Sequence, residues 1–176
     1  LSRVLNTIQI EDKRSYRLIE KKLKDVNENL SGINFRILGG GVFEMYLDEE
    51  GLDSAIHLAH ISDGTLRYLC LLAIFYNPKK GSFVCIDEPE IGLHPDMILN
   101  VAAAIQDASQ HSTFLIATHS ENLLNAFKVD NIRVFEKTTT NISEVHSYSE
   151  TEFEGWYEEF IPGQMWRAGD IGGKRW

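Results

Sequence analysis

The sequence contains few of the residues that characterise specialised classes of protein. Among its 176 residues there are only two cysteines and four prolines. Two cysteines are too few for the disulfide framework of a small secreted domain. Charge or glycine interrupts every long apolar run, so we expect no transmembrane helix and no membrane partner. With 43% hydrophobic and 24% charged residues, the composition is that of a globular domain and excludes a disordered, collagen-like or coiled-coil chain.

The two cysteines and the first residues of the chain bear on the cellular compartment in which we expect the protein. Cys70 and Cys85 each lie in an apolar run, so we expect two buried, reduced thiols and no disulfide. No charged-then-apolar leader is visible within these residues, so nothing in them indicates secretion. We therefore expect a cytoplasmic protein. The chain begins at Leu1 rather than at Met, and we expect it to be a piece of a longer protein.

Basic residues are scarce relative to acidic ones. The chain has 17 Lys and Arg against 26 Asp and Glu, which gives a net charge of −9. An acidic surface repels nucleic-acid phosphates at long range. A complex that contains this protein can bind nucleic acid, but we do not expect this segment alone to do so.

The apolar pattern predicts an α/β protein. Residues 11–30 have helical spacing, and Gly39, Gly40 and Gly41 separate two β-like runs at residues 33–38 and 42–47 as a hairpin turn. Further along, helices and strands alternate, which indicates a parallel sheet covered on both faces. We expect helices over residues 62–76, 95–110 and 121–127, and strands over residues 82–86, 113–117, 132–135 and 142–148.

The segment from Phe83 to Pro89 carries the strongest chemical signal. Four apolar residues predict a buried strand, and Asp87 and Glu88 follow at its carboxyl end, where open α/β sheets bind ligands. An Asp at this position can hold Mg²⁺, and a neighbouring Glu can deprotonate a water molecule. The alternative is a strand that ends in a turn with solvated acids.

Two other segments place polar groups at the ends of elements. His119 follows the strand at residues 113–117 and can donate a hydrogen bond to a phosphate; alternatively, Ser120 caps the next helix and His119 is incidental. Ser62 begins an apolar helix with Asp63, Gly64 and Thr65 in its first turn. The free N–H groups of such a helix end can bind an anion, and ordinary capping is the alternative.

Taken together and in this order, these segments resemble the C-terminal lobe of an ABC-type ATPase head. The run Ser62–Thr65 resembles the signature motif, Phe83–Glu88 resembles Walker B with its catalytic glutamate, and residues 91–95 occupy the D-loop position. His119 resembles the switch histidine. Within the superfamily, the sequence is most similar to the RecF, OLD and SMC-related group. This group includes AAA-type ATP-binding proteins of bacterial defence and DNA repair.

The resemblance implies a fold and a mechanism. The fold is a parallel-sheet P-loop NTPase half with an N-terminal helix and a small antiparallel β hairpin region. The cofactors are ATP and Mg²⁺, sandwiched between two heads. Asp87 holds the metal ion, Glu88 activates water and His119 contacts the γ-phosphate. The remaining nucleotide-binding residues implied are Ser62, Asp63, Gly64, Thr65 and His94, with the signature helix acting on the nucleotide of the opposite head.

Three departures from the family pattern shape these expectations. Transporters usually carry two glycines where this chain has Asp63 and Gly64, and their D-loops usually end in Asp where it has His94; both differences argue against a transporter subunit. The phosphate-binding pattern Gly-x-x-x-x-Gly-Lys-[Ser/Thr] is absent from the sequence. We therefore expect an N-terminal Walker A lobe as a partner of this chain, together with a second head and an effector protein.

The expected organisation is one domain over residues 1–176. Residues 1–32 form a helical lead-in, 33–59 a β region, 60–148 the core with the three motifs, and 149–176 a tail rich in Gly and Trp. The alternative function is a dimerisation or effector-docking module of the same fold that does not hydrolyse ATP. An OLD-type nuclease would need an acidic metal-binding domain that is absent from this sequence, so a nuclease is expected only as a candidate effector.

Overall fold

A computed structural model describes residues 1–77, 81–153 and 161–172 of the chain. Its contacts divide the chain into two compact units, Leu1–Ala117 and Thr118–Trp176. The first unit contains α1 (Ser2–Glu11), α2 (Lys13–Lys24), β1 (Leu30–Leu38), β2 (Val42–Glu49), β3 (Ile56–His57), α3 (Asp63–Phe75), β4 (Phe83–Asp87), α4 (Pro95–Ser109) and β5 (Thr113–Ala117). The second contains α5 (Glu121–Leu124), β6 (Arg133–Lys137), β7 (Ser143–Ser147) and α6 (Pro162–Ala168).

The helical lead-in is two helices rather than one. Asp12 separates them, because its side chain accepts hydrogen bonds from the backbone N–H groups of Arg14 and Ser15 and so caps α2. The helix predicted to run to residue 30 ends at Lys24. Leu30 pairs with Glu49 as the first residue of β1 instead. Strand pairing across the hairpin therefore overrides the helical spacing of residues 25–30.

The antiparallel sheet β1-β2-β3 confirms the predicted hairpin. Its strands are joined at Gly39–Gly41, where Gly40 and Gly41 have φ of 79° and 77°, values that favour glycine. The inner face carries Ile33, Met45 and Leu47, all buried. The hydroxyl of Tyr16 on α2 donates to the carbonyl of Ile33 at 3.0 Å, which holds the helix on this face.

The parallel sheet of β4 and β5 has one covered face. Helix α3 packs against it through Phe75, whose ring meets that of Phe114 at a centroid distance of 5.6 Å. On the opposite face Phe83 and Leu115 are 67% and 55% exposed, and Cys85 is exposed as well. No helix of the described part of the chain covers these three residues, so the predicted burial of both faces is wrong.

The prediction of two buried thiols is also wrong, because Cys70 on α3 is exposed like Cys85. An apolar sequence neighbourhood buries a cysteine only where another element packs on that face. The α/β fold class itself is confirmed. Within the described ranges, no helix is both long and apolar enough to span a bilayer.

The second unit has its own small core. β6 and β7 pair antiparallel, with Val134 opposite His146, which confirms the expected strand at residues 142–148. Helix α6, which the sequence analysis did not predict, packs against α5. The backbone N–H of Gly163 donates to the Asn125 side chain at 2.7 Å. The buried cluster consists of Val129, Ile132, Val134, Phe153, Met165 and Ile171.

Trp166 on α6 is partly buried against this cluster. This tryptophan of the tail is therefore a packing residue of the second unit. Trp156 and Trp176 lie outside the described residues.

Candidate active site

Asp87 and Glu88 lie at the carboxyl end of β4. Asp87 is exposed and is in register with Ala117, the last residue of β5. The N–H of Glu88 donates to the carbonyl of Ala117 at 2.8 Å, which extends the ladder by one bond. Glu88 then adopts a φ of +43°, a left-handed conformation that costs a non-glycine residue about 1–3 kcal/mol. Such strain is concentrated at functional sites, which makes Glu88 a candidate.

Two tight turns follow Glu88. The N–H of Ile91 donates to the Glu88 carbonyl at 3.2 Å, and that of Leu93 donates to the Glu90 carbonyl at 3.1 Å. Gly92 has a φ of +75°. Pro89 is buried, and a residue before proline avoids the right-handed helical region. These bonds and Pro89 together hold the backbone of Glu88 in its strained conformation.

His94 caps helix α4. Its Nδ1 accepts from the N–H of Asp96 at 3.3 Å, and Pro95 occupies the first helical position as predicted. The imidazole is 68% exposed, so it remains accessible to a partner or ligand. The position that resembles the end of a D-loop therefore has a structural role in this chain, and a nucleotide contact remains a prediction.

The amino end of α3 has the predicted capping arrangement. The Oγ of Ser62 accepts from the N–H of Thr65 at 3.2 Å and lies 2.9 Å from the Thr65 hydroxyl oxygen. Ser62 and Asp63 are exposed, while Gly64 and Thr65 are half-buried. Capping by Ser62 is thus confirmed. When the Thr65 hydroxyl donates to Ser62, the Ser62 hydroxyl proton is available to a ligand, since accepting a bond uses only a lone pair.

The start of α3 contacts the turns that follow β4. A Cβ atom on Gly64 would lie 3.1 Å from the carbonyl oxygen of Gly92, so any larger residue would require the turn to move by a few tenths of an ångström. Nη1 of Arg67 donates a hydrogen bond to the carbonyl oxygen of Ile91. The structure therefore brings together the signature-like helix and the segment that carries Glu88. Gly92 was expected only as part of the D-loop-like segment and Arg67 had no expected role, although the spacing of Gly64 and Arg67 puts them on one helix face.

Two buried tyrosines fix α3 in the first unit. The hydroxyl of Tyr68 donates to the carbonyl of Lys22 at 3.1 Å, and that of Tyr76 donates to Oδ2 of Asp107 at 3.0 Å. Burial, and then the charge of Asp25, raises the pKa of Tyr68. Burial, followed by the Asp107 carboxylate, raises that of Tyr76. Both hydroxyls therefore stay protonated at neutral pH, and their hydrogen bonds anchor α3 to α2 and α4.

His119 lies in the second unit, two residues after the end of β5. Its ring centroid is 6.3 Å from that of Trp166, and its side chain is exposed. Ser120 caps α5 by accepting from the N–H of Leu123 at 3.3 Å, so the capping alternative holds for Ser120. A phosphate contact by His119 remains a prediction.

Comparison with solved structures shows the fold. One chain, described as "Structural biochemistry of ATP-driven dimerization and DNA stimulated activation of SMC ATPases", is 18% identical with a TM-score of 0.64, and the match covers 97% of this chain and 99% of that one. A second is the Smc head bound to the C-winged helix domain of ScpA, also 18% identical, with a TM-score of 0.63 and coverage of 84% and 46%.

A third similar structure is the Smc head domain with an extended coiled coil from Pyrococcus furiosus, bound to the C-terminal domain of ScpA. It is 18% identical with a TM-score of 0.62, and the match covers 85% of this chain and 38% of that one. The chain thus spans less than half of the second and third structures. No curated protein matches it.

The motifs, the fold and the family comparison agree. The family model described as "AAA domain, putative AbiEii toxin, Type IV TA system" matches residues 6–125, which is more than half of the chain. The protein therefore belongs to this AAA domain family, and its fold is similar to that of SMC ATPase heads.

Proposed function

We propose that this chain supplies the signature helix and the hydrolytic carboxylates of a dimeric, ABC-type ATPase head. The observation that carries the proposal is the arrangement at Glu88. A strained glutamate follows an exposed aspartate at the carboxyl end of a parallel strand, and the capped end of α3 contacts the same turn. A scaffold would need neither the paired carboxylates nor the strained backbone.

The carboxylate of Asp87 fits a Mg²⁺ ion in chemistry and position. Mg²⁺ prefers oxygen ligands and usually takes only one or two carboxylates from a protein, with the rest from water and phosphates. In agreement, the described residues include no group of three or more His, Cys, Asp or Glu side chains that could hold a metal ion by themselves. When bound with ATP, the ion neutralises charge on the phosphates.

Glu88 acts as the general base in this proposal. Its carboxylate accepts a proton from a water molecule that attacks the γ-phosphate, a role worth about 10²–10⁴-fold in rate. Phosphoryl transfer otherwise depends on positioning and charge stabilisation. The hydrogen bonds of Glu88 to Ala117 and Ile91 hold its backbone in place before the nucleotide arrives.

The start of α3 binds the γ-phosphate of the nucleotide held by the opposite head. Free N–H groups and the Ser62 hydroxyl proton are suited to an anion. Asp63 is exposed in the first turn and has to point away from the phosphate. His94 and His119, both exposed, contact nucleotide or partner head in the closed dimer. The SMC ATPases among the similar structures are described as dimerising in an ATP-driven manner.

The partners follow from the same proposal. A phosphate loop must come from an N-terminal Walker A lobe, and hydrolysis opens the dimer of heads to switch a DNA-related or anti-phage effector in the cytoplasm. A nuclease is one candidate for that effector. Nucleic acid binds elsewhere in the complex, because this chain has a net charge of −9. Residues 60–148 remain the proposed functional core.

The second candidate is a docking module with this fold that does not turn over ATP. The exposed apolar face at Phe83 and Leu115 favours it, since such a face suits a protein partner. Kinetics of the complete protein distinguish the two candidates.

The test is ATP turnover of the complete protein with Glu88→Gln. The amide keeps the shape of the side chain but accepts no proton, so we expect turnover to fall by about 10²–10⁴-fold, while ATP binding persists and the closed dimer accumulates. Glu50→Gln, at an exposed position in the turn after β2, is the matched control and should leave turnover unchanged. Normal turnover by Glu88→Gln would exclude Glu88 as the base, and no turnover by the wild-type protein would favour the docking module.

Ser62→Arg tests the signature helix. A bulky cation at the amino end of α3 opposes the helix dipole and fills the space proposed for phosphate. We expect the ATP-dependent dimer to be lost, as measured by light scattering, with the circular dichroism of the monomer unchanged. If ATP still drives dimerisation, Ser62 is a helix cap and nothing more.

A further inference from the structure

Arg67 joins the signature-like helix to the turn after Glu88. It lies in the second turn of α3, and its Nη1 donates to the carbonyl oxygen of Ile91. A Cβ on Gly92 would lie 3.5 Å from that nitrogen and 3.9 Å from Cζ of Arg67. The flat guanidinium therefore lies directly against the backbone of residues 91 and 92.

A series of hydrogen bonds connects Arg67 with the end of strand β4. Ile91, whose carbonyl accepts from Arg67, donates its own N–H to the carbonyl of Glu88 at 3.2 Å, and the N–H of Glu88 donates to Ala117 at 2.8 Å. Each peptide unit in this series is planar and rigid. A shift of α3 thus acts on the backbone of Glu88 through two hydrogen bonds within one unit of the fold.

We infer that Arg67 is a positioning residue that sets the backbone of Glu88 from the amino end of α3. This inference rests on the proposed function, in which Ser62 and Glu88 act on nucleotides. It deepens that function by giving one head an internal link between its phosphate-binding helix and its general base. Arg67 acts through Ile91, so it touches neither the phosphate nor the attacking water.

Gly64 provides a second contact between the same two segments. A Cβ at this position would lie 3.1 Å from the Gly92 carbonyl oxygen, and that distance is tighter than ordinary van der Waals contact. Gly64→Ala therefore pushes the turn away from α3, while substitution of Arg67 releases it. Both changes should disturb Glu88 in the same direction, although only one of them removes a charge.

The kinetic test uses the complete protein with Arg67→Met, Arg67→Lys and Gly64→Ala. We expect Arg67→Met to lower kcat for ATP by about 10- to 100-fold, a loss typical of misplaced catalytic groups, with KM changed by less than about twofold because the nucleotide is still bound. Arg67→Lys should recover part of kcat, since lysine donates one bond but lacks the planar fork. Arg17→Met, at an exposed position on α2, is the control and should behave as wild type.

Three kinetic outcomes would overturn the inference. A raised KM with unchanged kcat, or an Arg67→Lys variant as inactive as Arg67→Met together with loss of ATP-driven dimerisation, would mean that Arg67 contacts the nucleotide directly. Unchanged kcat and KM in Arg67→Met would mean that this exposed arginine has no role in positioning Glu88.

Hydrogen exchange on the 176-residue chain tests the link without relying on ATPase activity. In Arg67→Met, we expect the amide of Ile91 to exchange about five- to tenfold faster, a factor typical of the loss of one hydrogen bond. The amides of β4 and β5 should keep their wild-type rates, as should all amides of Arg17→Met. Unchanged exchange at Ile91 refutes the link even if the protein hydrolyses ATP. Faster exchange at Ile91 without any ATPase activity would support the link and contradict the proposed function.

Discussion

The two sheets of the first unit differ in what covers their faces. In β1 and β2 the inner residues Ile33 and Met45 are 3% and 0% exposed. The outer face is polar along its middle, with the Arg36 guanidinium 4.3 Å from the centre of the Tyr46 ring, and exposes Leu38 and Val42 at its hairpin end. In β4 and β5 the outer face is apolar, and Phe83 and Leu115 are mostly exposed. Away from its hairpin end, the first sheet exposes a polar face to water, whereas the second exposes an apolar face.

This difference distinguishes the sheet that mainly stabilises the fold from the sheet that carries the candidate site. An antiparallel sheet with one face in water is a stable end state, whereas parallel sheets are normally covered on both faces. The carboxylates Asp87 and Glu88 lie on the second sheet. An apolar face beside them is the surface expected for the proposed N-terminal lobe. Four predictions test this contrast.

The largest expected effect is the lack of nucleotide affinity in the chain by itself. Tight binding needs the N–H groups and Lys of a phosphate loop, and Asp87 and Glu88 add negative charge that repels a nucleotide. An exposed helix end contributes about 0.3–1 kcal/mol, far below the roughly 8 kcal/mol of micromolar affinity. Calorimetric titration of ATP and Mg²⁺ into the 176-residue chain should show no binding in the micromolar range. A micromolar or tighter dissociation constant would reveal a further nucleotide site.

The next effect is on stability in the first sheet. Met45 is fully buried on the inner face of β2, and truncating such a side chain leaves a cavity. Met45→Ala should lower the free energy of unfolding by about 2–5 kcal/mol, as measured by urea denaturation. A loss below 1 kcal/mol would show that this face is less tightly packed than its burial indicates.

The third effect is a loss of stability at high pH. Burial raises the pKa values of Tyr16, Tyr68 and Tyr76 above the ordinary 10.0, so the folded chain holds these protons more tightly than the unfolded chain. The contribution of these tyrosines to the free energy of unfolding is therefore fully present below pH 10. The free energy of unfolding falls as pH rises above 10, by up to about 1.4 kcal/mol per pH unit for each tyrosine. Urea midpoints from pH 8 to pH 11 measure the slope.

Tyr68→Phe sharpens this measurement. The variant loses the hydrogen bond to Lys22, which costs about 1 kcal/mol at neutral pH, and it also loses one titrating group. Its stability should consequently fall less steeply above pH 10 than that of the wild type. Parallel pH profiles for the two proteins would contradict a role for Tyr68 in the alkaline loss.

The smallest effect is expected on the open face of the parallel sheet. Phe83→Ser replaces a side chain that is already 67% exposed, so the free energy of unfolding should change by no more than about 0.5 kcal/mol. Binding of a hydrophobic dye to the 176-residue chain should decrease, because the apolar patch is smaller. A loss as large as that of Met45→Ala would show that the face is covered in solution.

Local sequence signals predicted the element ends that depend on local chemistry. The capping of α3 by Ser62, the start of α4 at Pro95 and the hairpin at Gly39–Gly41 all follow from preferences that act within a few residues. The break at Asp12 and helix α6 were missed. Asp12 interrupts an otherwise helical pattern by a side-chain bond, and α6 is stabilised largely by its packing on α5 and the second core.

The sequence predicted that Asp87 and Glu88 lie at the end of a strand, and it did not predict which residues contact the turn that follows them. Asp87 and Glu88 stand out in the sequence because an apolar run stops at two acids. The contact of Arg67 with Ile91 joins residues 24 positions apart, and no local pattern encodes such a pair. The exposure of Cys70 and Cys85 was mispredicted for the same reason, since the identity of the element that covers a face is a long-range property.

The sequence by itself determined the alternation of helices and strands over residues 62–117, the capped start of α3 and the acids at the end of β4, because hydrophobic period, capping and turn chemistry are local. Tertiary structure alone decided three other features. They are the left-handed backbone of Glu88, the approach of Gly64 to Gly92, and the apolar face left open beside Phe83. The last two depend on which distant backbone or side chain lies opposite. The Glu88 backbone depends on its long-range bond to Ala117 as well as on Pro89 and the local turn, so chain packing, rather than the preference of any single residue, settles all three.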